Sequence, residues 1–255
     1  MNNDTGYMYV WDESTASRGA EEVASALLSH IKSHVNTARL ICYSDCCGGQ
    51  NRNIKVALMW NYIVHNPETT VTEIDHKFLV SGHTYLSNDQ DFGLIERNKN
   101  AYSDIYVGLP DDWIRVIETA KKREPKFLVS KLDHSQFCST KKLVVNAVNR
   151  KVGQNGQKVY WLKIQWIHFT EEYPNIMFYK YSNSEEALFE AVDLSKKKVR
   201  GRPRSVSKIR LDQLYPSGRA IAKAKILDLK SLLPYIPPVH HEFYKRLKID
   251  SNGDE

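Results

Sequence analysis

The chain has 255 residues and an apolar fraction of 42%, which is enough for a packed core in one large domain or two modest ones. It contains no apolar run of membrane-spanning length, and its N-terminus lacks the basic-then-apolar order of a secretory signal. Four cysteines are too few for a disulfide framework, so we expect a reducing compartment, the nucleus or alternatively the cytoplasm. The net charge of +6 is concentrated after residue 195, which favours a polyanion such as DNA as partner.

The first half of the chain alternates predicted strands and helices. Residues 7–13, 38–44 and 73–85 are rich in apolar and aromatic side chains and are predicted as strands, the second of them buried on both faces. Helical spacing of apolar residues predicts helices within residues 14–36, 54–66 and 111–124, with Asp111 as the cap of the last. A further helix is expected after the turn that begins at residue 87. This alternation favours an α/β layer fold with a largely parallel sheet.

The character of the sequence changes after Pro125. Short strand-like runs, among them residues 141–152, predict a small antiparallel β unit. A short helix is predicted at residues 184–195, and prolines interrupt the helical spacing of the tail. The expected organisation is an α/β domain at 1–124, the β unit at 125–182, the short helix with a basic linker at 183–220, and a helical C-terminal segment at 221–250.

Residues 40–53, LICYSDCCGGQNRN, carry the most informative motif. A phosphate-binding P-loop would need Lys followed by Ser or Thr after the glycines, and no such pair follows Gly48 and Gly49. Structural zinc prefers spaced cysteine pairs, whereas Cys46 and Cys47 are adjacent. Two interpretations remain open: a catalytic metal site at Asp45, which follows an apolar strand, and a polar turn without chemistry.

A second polar cluster, in GHTYLSNDQDFGLIE, also follows a predicted strand. Two-metal phosphoryl transfer needs carboxylates that converge from separate elements, and this cluster could supply them to Asp45. Any one acid could instead cap the following helix. The candidate catalytic residues are Asp45, His83, Asp89, Asp91 and Glu96.

The combination of YSDCCGGQNRN, GHTYLSNDQDFGLIE and KILDLKSLLPYIPPVHHEFY resembles a domain-of-unknown-function family that is common in arthropod genomes and in genes derived from mobile elements. The family's order of elements is similar to the ribonuclease H-like fold of transposases and integrases. The resemblance implies metal-dependent cleavage or strand transfer on DNA, with Mg²⁺ or Mn²⁺ held by Asp45, Asp89 and Glu96. His83 would orient water or phosphate.

The same resemblance implies a truncated core, because residues 7–13 would correspond to the third strand of that fold. The first strand and its catalytic Asp would then be missing, with Asp12 or Glu13 as a poorly placed substitute. Two alternatives therefore stay open: a catalytically inactive DNA-binding protein, and a protein-interaction module.

The segment KKKVRGRPR resembles an AT-hook, which lies extended in the DNA minor groove. Gly lets the backbone approach the groove floor, Pro keeps the chain extended, and narrow A·T-rich grooves attract Arg. A solvated linker or a nuclear import signal are the alternatives. The predicted nucleic-acid contacts are Lys196, Lys197, Lys198, Arg200, Gly201, Arg202, Pro203 and Arg204, with Arg52 from the first motif.

Overall fold

The computed structural model describes residues 5–79, 86–101, 106–147, 149–195 and 205–250. The α-helices of these residues are α1 (Ala20–His34), α2 (Ile54–Val64), α3 (Ser87–Ala101), α4 (Pro110–Glu118), α5 (Lys141–Asn146), α6 (Lys223–Ser231) and α7 (His241–Lys245). The strands are β1 (Tyr7–Val10), β2 (Arg39–Ser44), β3 (Glu73–Phe78), β4 (Leu128–Lys131), β5 (Cys138–Ser139), β6 (Trp166–Thr170), β7 (Ile176–Lys180), β8 (Glu190–Asp193) and β9 (Asp212–Gln213). The fold is therefore mixed α/β, as predicted. Among the described residues, no helix combines the length and apolar character needed to cross a bilayer.

The chain forms two compact units, each assembled from separated segments. The first, called the sheet unit, comprises residues 18–84 and 136–214. The second, called the terminal unit, comprises residues 1–17, 85–135 and 215–255. This grouping differs from the expected boundaries, because residues 125–182 do not stand alone: β6 and β7 complete a sheet that begins with β2 and β3.

The sheet unit is built on a five-stranded mixed sheet in the order β2-β3-β6-β7-β8. Strands β2 and β3 are parallel, with Ile41 opposite Asp75, whereas the three following pairs are antiparallel. The sheet is thus less parallel than the alternating first half of the sequence predicted. One face packs into an apolar cluster with α1, α2 and α5, and its strand residues are Ile74, Phe78, Ile167, Phe169, Met177, Tyr179 and Val192.

The two long helices of the sheet unit form where their apolar spacing predicted them. Helix α1 begins after Gly19, whose backbone N–H donates to Glu22 Oε2 at 2.9 Å and so satisfies one open donor of the first turn. Helix α2 begins after Asn53, whose Oδ1 accepts the N–H of Lys55 at 2.9 Å. Almost the whole of α2 is buried, including Trp60, which makes this helix the centre of the core.

The terminal unit pairs β1 with β4 in parallel and packs them with α3 and α4 around a small core. The capping acid of α4 is Asp112, whose Oδ2 accepts the N–H groups of Gly108 and Leu109. Asp111, the predicted cap, instead pairs with Lys131 Nζ at 2.7 Å. The cap is shifted because Pro110 takes the first helical position, which suits a residue without an N–H.

Two segments have the opposite secondary structure to the one predicted. Residues 141–146 form α5 rather than a strand, because Leu143 and Ala147 lie four residues apart and are both buried in the core that contains α2. Residues 190–193 form β8 rather than a helix, because they pair with β7 and bury Val192 beside Met177. In both cases tertiary packing outweighs the local pattern.

The prediction that strand β2 is buried on both faces is wrong. The strand lies at the edge of the sheet, where its side chains alternate between exposed and half-buried positions. Ile41 is 46% exposed and Tyr43 is 54% exposed. The apolar composition of a strand does not distinguish a central position from an edge, since only the pairing of the other strands decides that.

Candidate functional site

Asp45 directly follows β2, beside the C-terminal end of the parallel strand β3. The backbone N–H of Leu79 donates to the carbonyl of Ser44 at 2.9 Å, and Cys46 Sγ donates to the carbonyl of Leu79 at 2.9 Å. The chain leaving β3 is therefore fastened beside the turn that begins at Asp45. Two adjacent parallel strands thus end at this carboxylate, at the edge where α/β sheets bind ligands.

The Asp45 carboxylate is exposed and is held through one of its oxygens. Oδ1 accepts the backbone N–H of Cys47 at 3.0 Å and Nδ2 of Asn51 at 2.6 Å. No described residue donates to Oδ2. The turn orients the carboxylate and leaves one oxygen open, a donor that suits a hard cation such as Mg²⁺ or Mn²⁺.

In the glycine-rich turn after Asp45, three consecutive backbone N–H groups are bonded within the turn and so are not free to bind an anion. The carbonyl of Cys47 accepts the backbone N–H groups of Gln50, Asn51 and Arg52. The side chains of the turn are also engaged within the sheet unit: Gln50 Nε2 donates to the carbonyl of Arg18, and Asn53 Nδ2 donates to that of Gly48. These amides stabilise the turn, and Asn53 has the helix-capping role described above.

Arg52, predicted to contact nucleic acid, is half-buried. Its Nη1 lies 3.5 Å from the carbonyl oxygen of Ile164, and its buried Nε has no hydrogen-bond partner in the described part of the chain. The guanidinium is therefore directed towards the loop before β6. Contact of Arg52 with phosphate stays a prediction.

The acids that the sequence associates with Asp45 belong to the terminal unit. Asp89 Oδ2 accepts the N–H of Leu86 at 3.1 Å, which gives it the capping role that remained open at the start of α3. Asp91 is buried, its Oδ1 lies 3.3 Å from Lys121 Nζ, and its Oδ2 has no hydrogen-bond partner among the described residues. Glu96 is exposed on α3. No acid of this cluster shares a unit with Asp45.

The remaining predicted site residues lie outside the described residues. His83 falls within residues 80–85. The AT-hook-like segment falls within residues 196–204, which include Lys196, Lys197, Lys198, Arg200, Gly201, Arg202, Pro203 and Arg204. Their roles stay predictions from the sequence.

The face of the sheet opposite the apolar cluster carries a polar network that the sequence did not predict. Asp75 of β3 is at its centre. The side chain of Asp75 is 2% exposed. Its Oδ1 accepts Nε1–H of Trp166 at 2.8 Å and contacts Nδ1 of His168 at 2.9 Å, and its Oδ2 accepts from Arg39 Nη2 at 3.0 Å. Burial alone would raise the pKa of Asp75, but the hydrogen bonds from His168, Trp166 and Arg39 outweigh burial and lower it to about 2.

Glu73, Asp75 and His168 together could hold a metal ion. Each offers one ligand atom, and the three atoms lie within 4.8 Å of one another. Two features of the network compete with a cation. Arg39 already pairs with Glu73 at 3.4 Å and with Asp75 at 3.0 Å. The ionised Asp75 only accepts hydrogen bonds, so Nδ1 of His168 carries the proton that a metal would have to displace.

Two buried lysines hold the indole that donates to Asp75. Lys77 Nζ lies 3.5 Å and Lys180 Nζ 4.3 Å from the centre of the Trp166 ring. Lys77 is paired with Glu185 at 2.7 Å, and Lys180 donates to the carbonyl oxygens of Ser184 and Glu185. These cation–π contacts fix the ring plane and direct its N–H towards the carboxylate.

A second buried chain of hydrogen bonds links the core to the end of β2. Trp60 Nε1 donates to Nδ1 of His76 at 3.0 Å, and Nε2 of His76 lies 2.9 Å from Ser44 Oγ. An indole N–H can only donate, so Nδ1 is an acceptor and the proton of His76 is on Nε2. Ser44 therefore accepts from His76 and donates to the carbonyl of Asp45 at 2.9 Å. His76 cannot act as the base for a Ser44 nucleophile, and the chain instead fixes the backbone at Asp45.

A sequence signal for the Asp75 network existed in EIDHKF, where Glu73, Asp75 and Lys77 alternate with apolar or aromatic residues. Such alternation predicts one polar face of a strand. Its partners, Arg39, Trp166 and His168, are far away in sequence, and only the strand register brings them together.

No family model matches the chain, and comparison with curated proteins and with solved structures also finds no match.

Proposed function

We propose that this protein acts on nucleic acid as a divalent-metal-dependent, phosphodiester-cleaving or strand-transferring protein of ribonuclease H-like ancestry, derived from a mobile element. The observation that carries the proposal is the placement of Asp45. This exposed carboxylate lies where two adjacent parallel strands end, and one of its oxygens has no partner among the described residues. Nothing in the comparisons with known proteins bears on this proposal.

The residues around Asp45 determine how the carboxylate is presented. Asn51 and the N–H of Cys47 bind Oδ1, and the Ser44 hydroxyl fixes the Asp45 carbonyl. Asp45 would hold Mg²⁺ or Mn²⁺, and the bound ion supplies charge stabilisation at a phosphoryl group. Asp89, Asp91 and Glu96 as further acids, and His83 as an orienting residue, stay predictions from the sequence.

Asp45→Asn tests this proposal, because the amide oxygen keeps the hydrogen bond to Cys47 while the negative charge is lost. We expect purified protein to nick supercoiled plasmid DNA with Mn²⁺ or Mg²⁺, and the variant to fall to background. Electron paramagnetic resonance should show loss of Mn²⁺ binding in the same variant.

The matched control is Asp133→Asn, since Asp133 also accepts a backbone N–H two residues on, from Ser135 at 2.7 Å, but belongs to the terminal unit and not to the sheet. It should cleave as the wild type does. Absence of cleavage by folded wild-type protein with either ion would reject catalysis, and unchanged activity in Asp45→Asn would reject the role of Asp45.

A non-catalytic DNA-binding function is the second candidate, favoured by the basic segment KKKVRGRPR. We expect salt-dependent binding to an A·T-rich duplex that weakens at least tenfold in the double variant Arg200→Ala/Arg202→Ala, because the minor groove concentrates negative potential. Fluorescence anisotropy measures this, with Lys223→Ala/Lys225→Ala as a control for the same loss of charge. Equal weakening in both double variants would show general charge attraction, and no binding at all would favour the protein-interaction alternative.

A further inference from the structure

Strand β2 pairs with only one neighbour among the described residues. The carbonyl oxygens of Ala38 and Ser44 accept N–H groups from the chain of β3, so the even-numbered residues of β2 direct their backbone groups towards β3. Because backbone direction alternates along a strand, Arg39, Ile41 and Tyr43 direct their N–H and C=O groups to the open edge. Within the described part of the chain, the only side-chain donor to these groups is Thr37 Oγ1, 3.2 Å from the carbonyl of Arg39.

This open edge lacks several of the features that protect edge strands. The strand contains no proline or lysine, and its register with β3 runs from Arg39 to Ser44 without a bulge. The same three residues place large side chains on the open face of the sheet, where Ile41 and Tyr43 are about half-exposed and Arg39 is 58% exposed. A regular edge with exposed apolar side chains is suited to accept another strand.

We propose that β2 pairs antiparallel with β2 of a second copy of this chain, with the twofold axis at Ile41. In an antiparallel pair, two residues that exchange hydrogen bonds must both direct their backbone groups to the interface. Odd-numbered residues of one copy therefore lie opposite odd-numbered residues of the other. Of such registers, only the one centred on Ile41 uses all three outward residues of the strand on both copies. It pairs Ile41 with Ile41, and Arg39 with Tyr43.

The side chains of this register are complementary. Two isoleucines would meet at the centre, and on either side the Tyr43 ring would pack against the methylene stem of Arg39. Arg39 is held in place by its ion pairs with Glu73 and Asp75 of β3, on the side of β2 away from the open edge. Asp45 stays outside the paired residues, so the dimer and the proposed metal site are independent.

The affinity of this dimer should be modest. A single pair of edge strands buries less than the roughly 1,200 Å² of a standard stable interface. We therefore expect a concentration-dependent equilibrium with a dissociation constant in the micromolar range.

Sedimentation equilibrium of the full chain tests the proposal. The wild type should shift from monomer to dimer with concentration, and Ile41→Lys should weaken dimerisation at least tenfold, because two lysines would oppose each other at the axis. Leu188→Lys is the control, since it places the same charge at a residue that is 90% exposed in the same unit but off the β2 edge. A wild type that stays monomeric, or an Ile41→Lys variant that dimerises as before, would overturn the proposal.

Cysteine cross-linking tests the register. In a Cys47→Ser background, Ile41→Cys should form an intermolecular disulfide on mild oxidation, since opposed residues lie about 5.5 Å apart between Cα atoms. Tyr43→Cys should not, because the two copies of residue 43 would be roughly 13 Å apart along the strands. Preferential cross-linking through residue 43 would contradict the twofold axis at Ile41.

Discussion

Asp75→Ala is expected to lower the free energy of unfolding by about 3 kcal/mol, because it removes the acceptor at the centre of a buried polar network. The Nε1–H of Trp166, which is buried, and the Nδ1–H of His168, whose side chain is 17% exposed, would lose their acceptor. Arg39 would be affected less, since it is largely exposed and keeps Glu73. Urea denaturation at neutral pH, followed by tryptophan fluorescence, measures the change.

Glu73→Ala is the matched control for Asp75→Ala. Glu73 pairs with the same arginine, from the same face of the same strand, but its side chain is 35% exposed. Water can replace its contacts, so the expected loss is below about 1 kcal/mol. If the two variants had the same free energy of unfolding, the burial of Asp75 would not make its hydrogen bonds more stabilising than those of the exposed Glu73, and the prediction would be wrong.

Stability should fall as the pH is lowered from about 6.5 towards 3, through His76. Burial lowers the pKa of His76 to about 3, whereas an exposed histidine titrates near 6.5. Below pH 6.5 the unfolded chain therefore binds a proton that the folded chain does not, and unfolding becomes more favourable. The contribution of neutral His76 is complete above pH 6.5 and is lost progressively down to pH 3.

Comparison with His76→Asn isolates this titration, because His30, whose pKa is lowered by burial and by His34, has an effect of the same sign. Between pH 6 and 4 the free energy of unfolding of the wild type should fall more steeply than that of the variant, by about 1.4 kcal/mol per pH unit. Asp75, whose pKa is lowered to about 2, adds a loss of stability below about pH 5 that wild type and variant share. Parallel curves for wild type and variant would show that His76 is not the residue that senses acid.

Local sequence information was sufficient where one element carries all of the evidence. The apolar spacing of α1, α2 and α4 acts within a few residues, and the corresponding helices are present, although the capping acid of α4 is Asp112 and not the predicted Asp111. The placement of Asp45 at the end of a strand was predictable for the same reason. The alternation of strands and helices predicted a largely parallel sheet, and β2 and β3, which α2 connects, are parallel.

Short-range periodicity was enough to predict the buried faces of α1 and α2 and the carboxylate that follows β2. The three-dimensional structure was needed to show that β6 and β7 join the sheet of β2 and β3 and that β8 is a strand. It was also needed to show that Asp75 contacts Trp166 and His168, which lie 91 and 93 residues further along the chain. Strand pairing is a choice among distant partners, and its energy comes from packing and cross-strand contacts that no local window contains. For the same reason, the open edge of β2 and the dimer proposed from it can be recognised only when the order of the strands in the sheet is known.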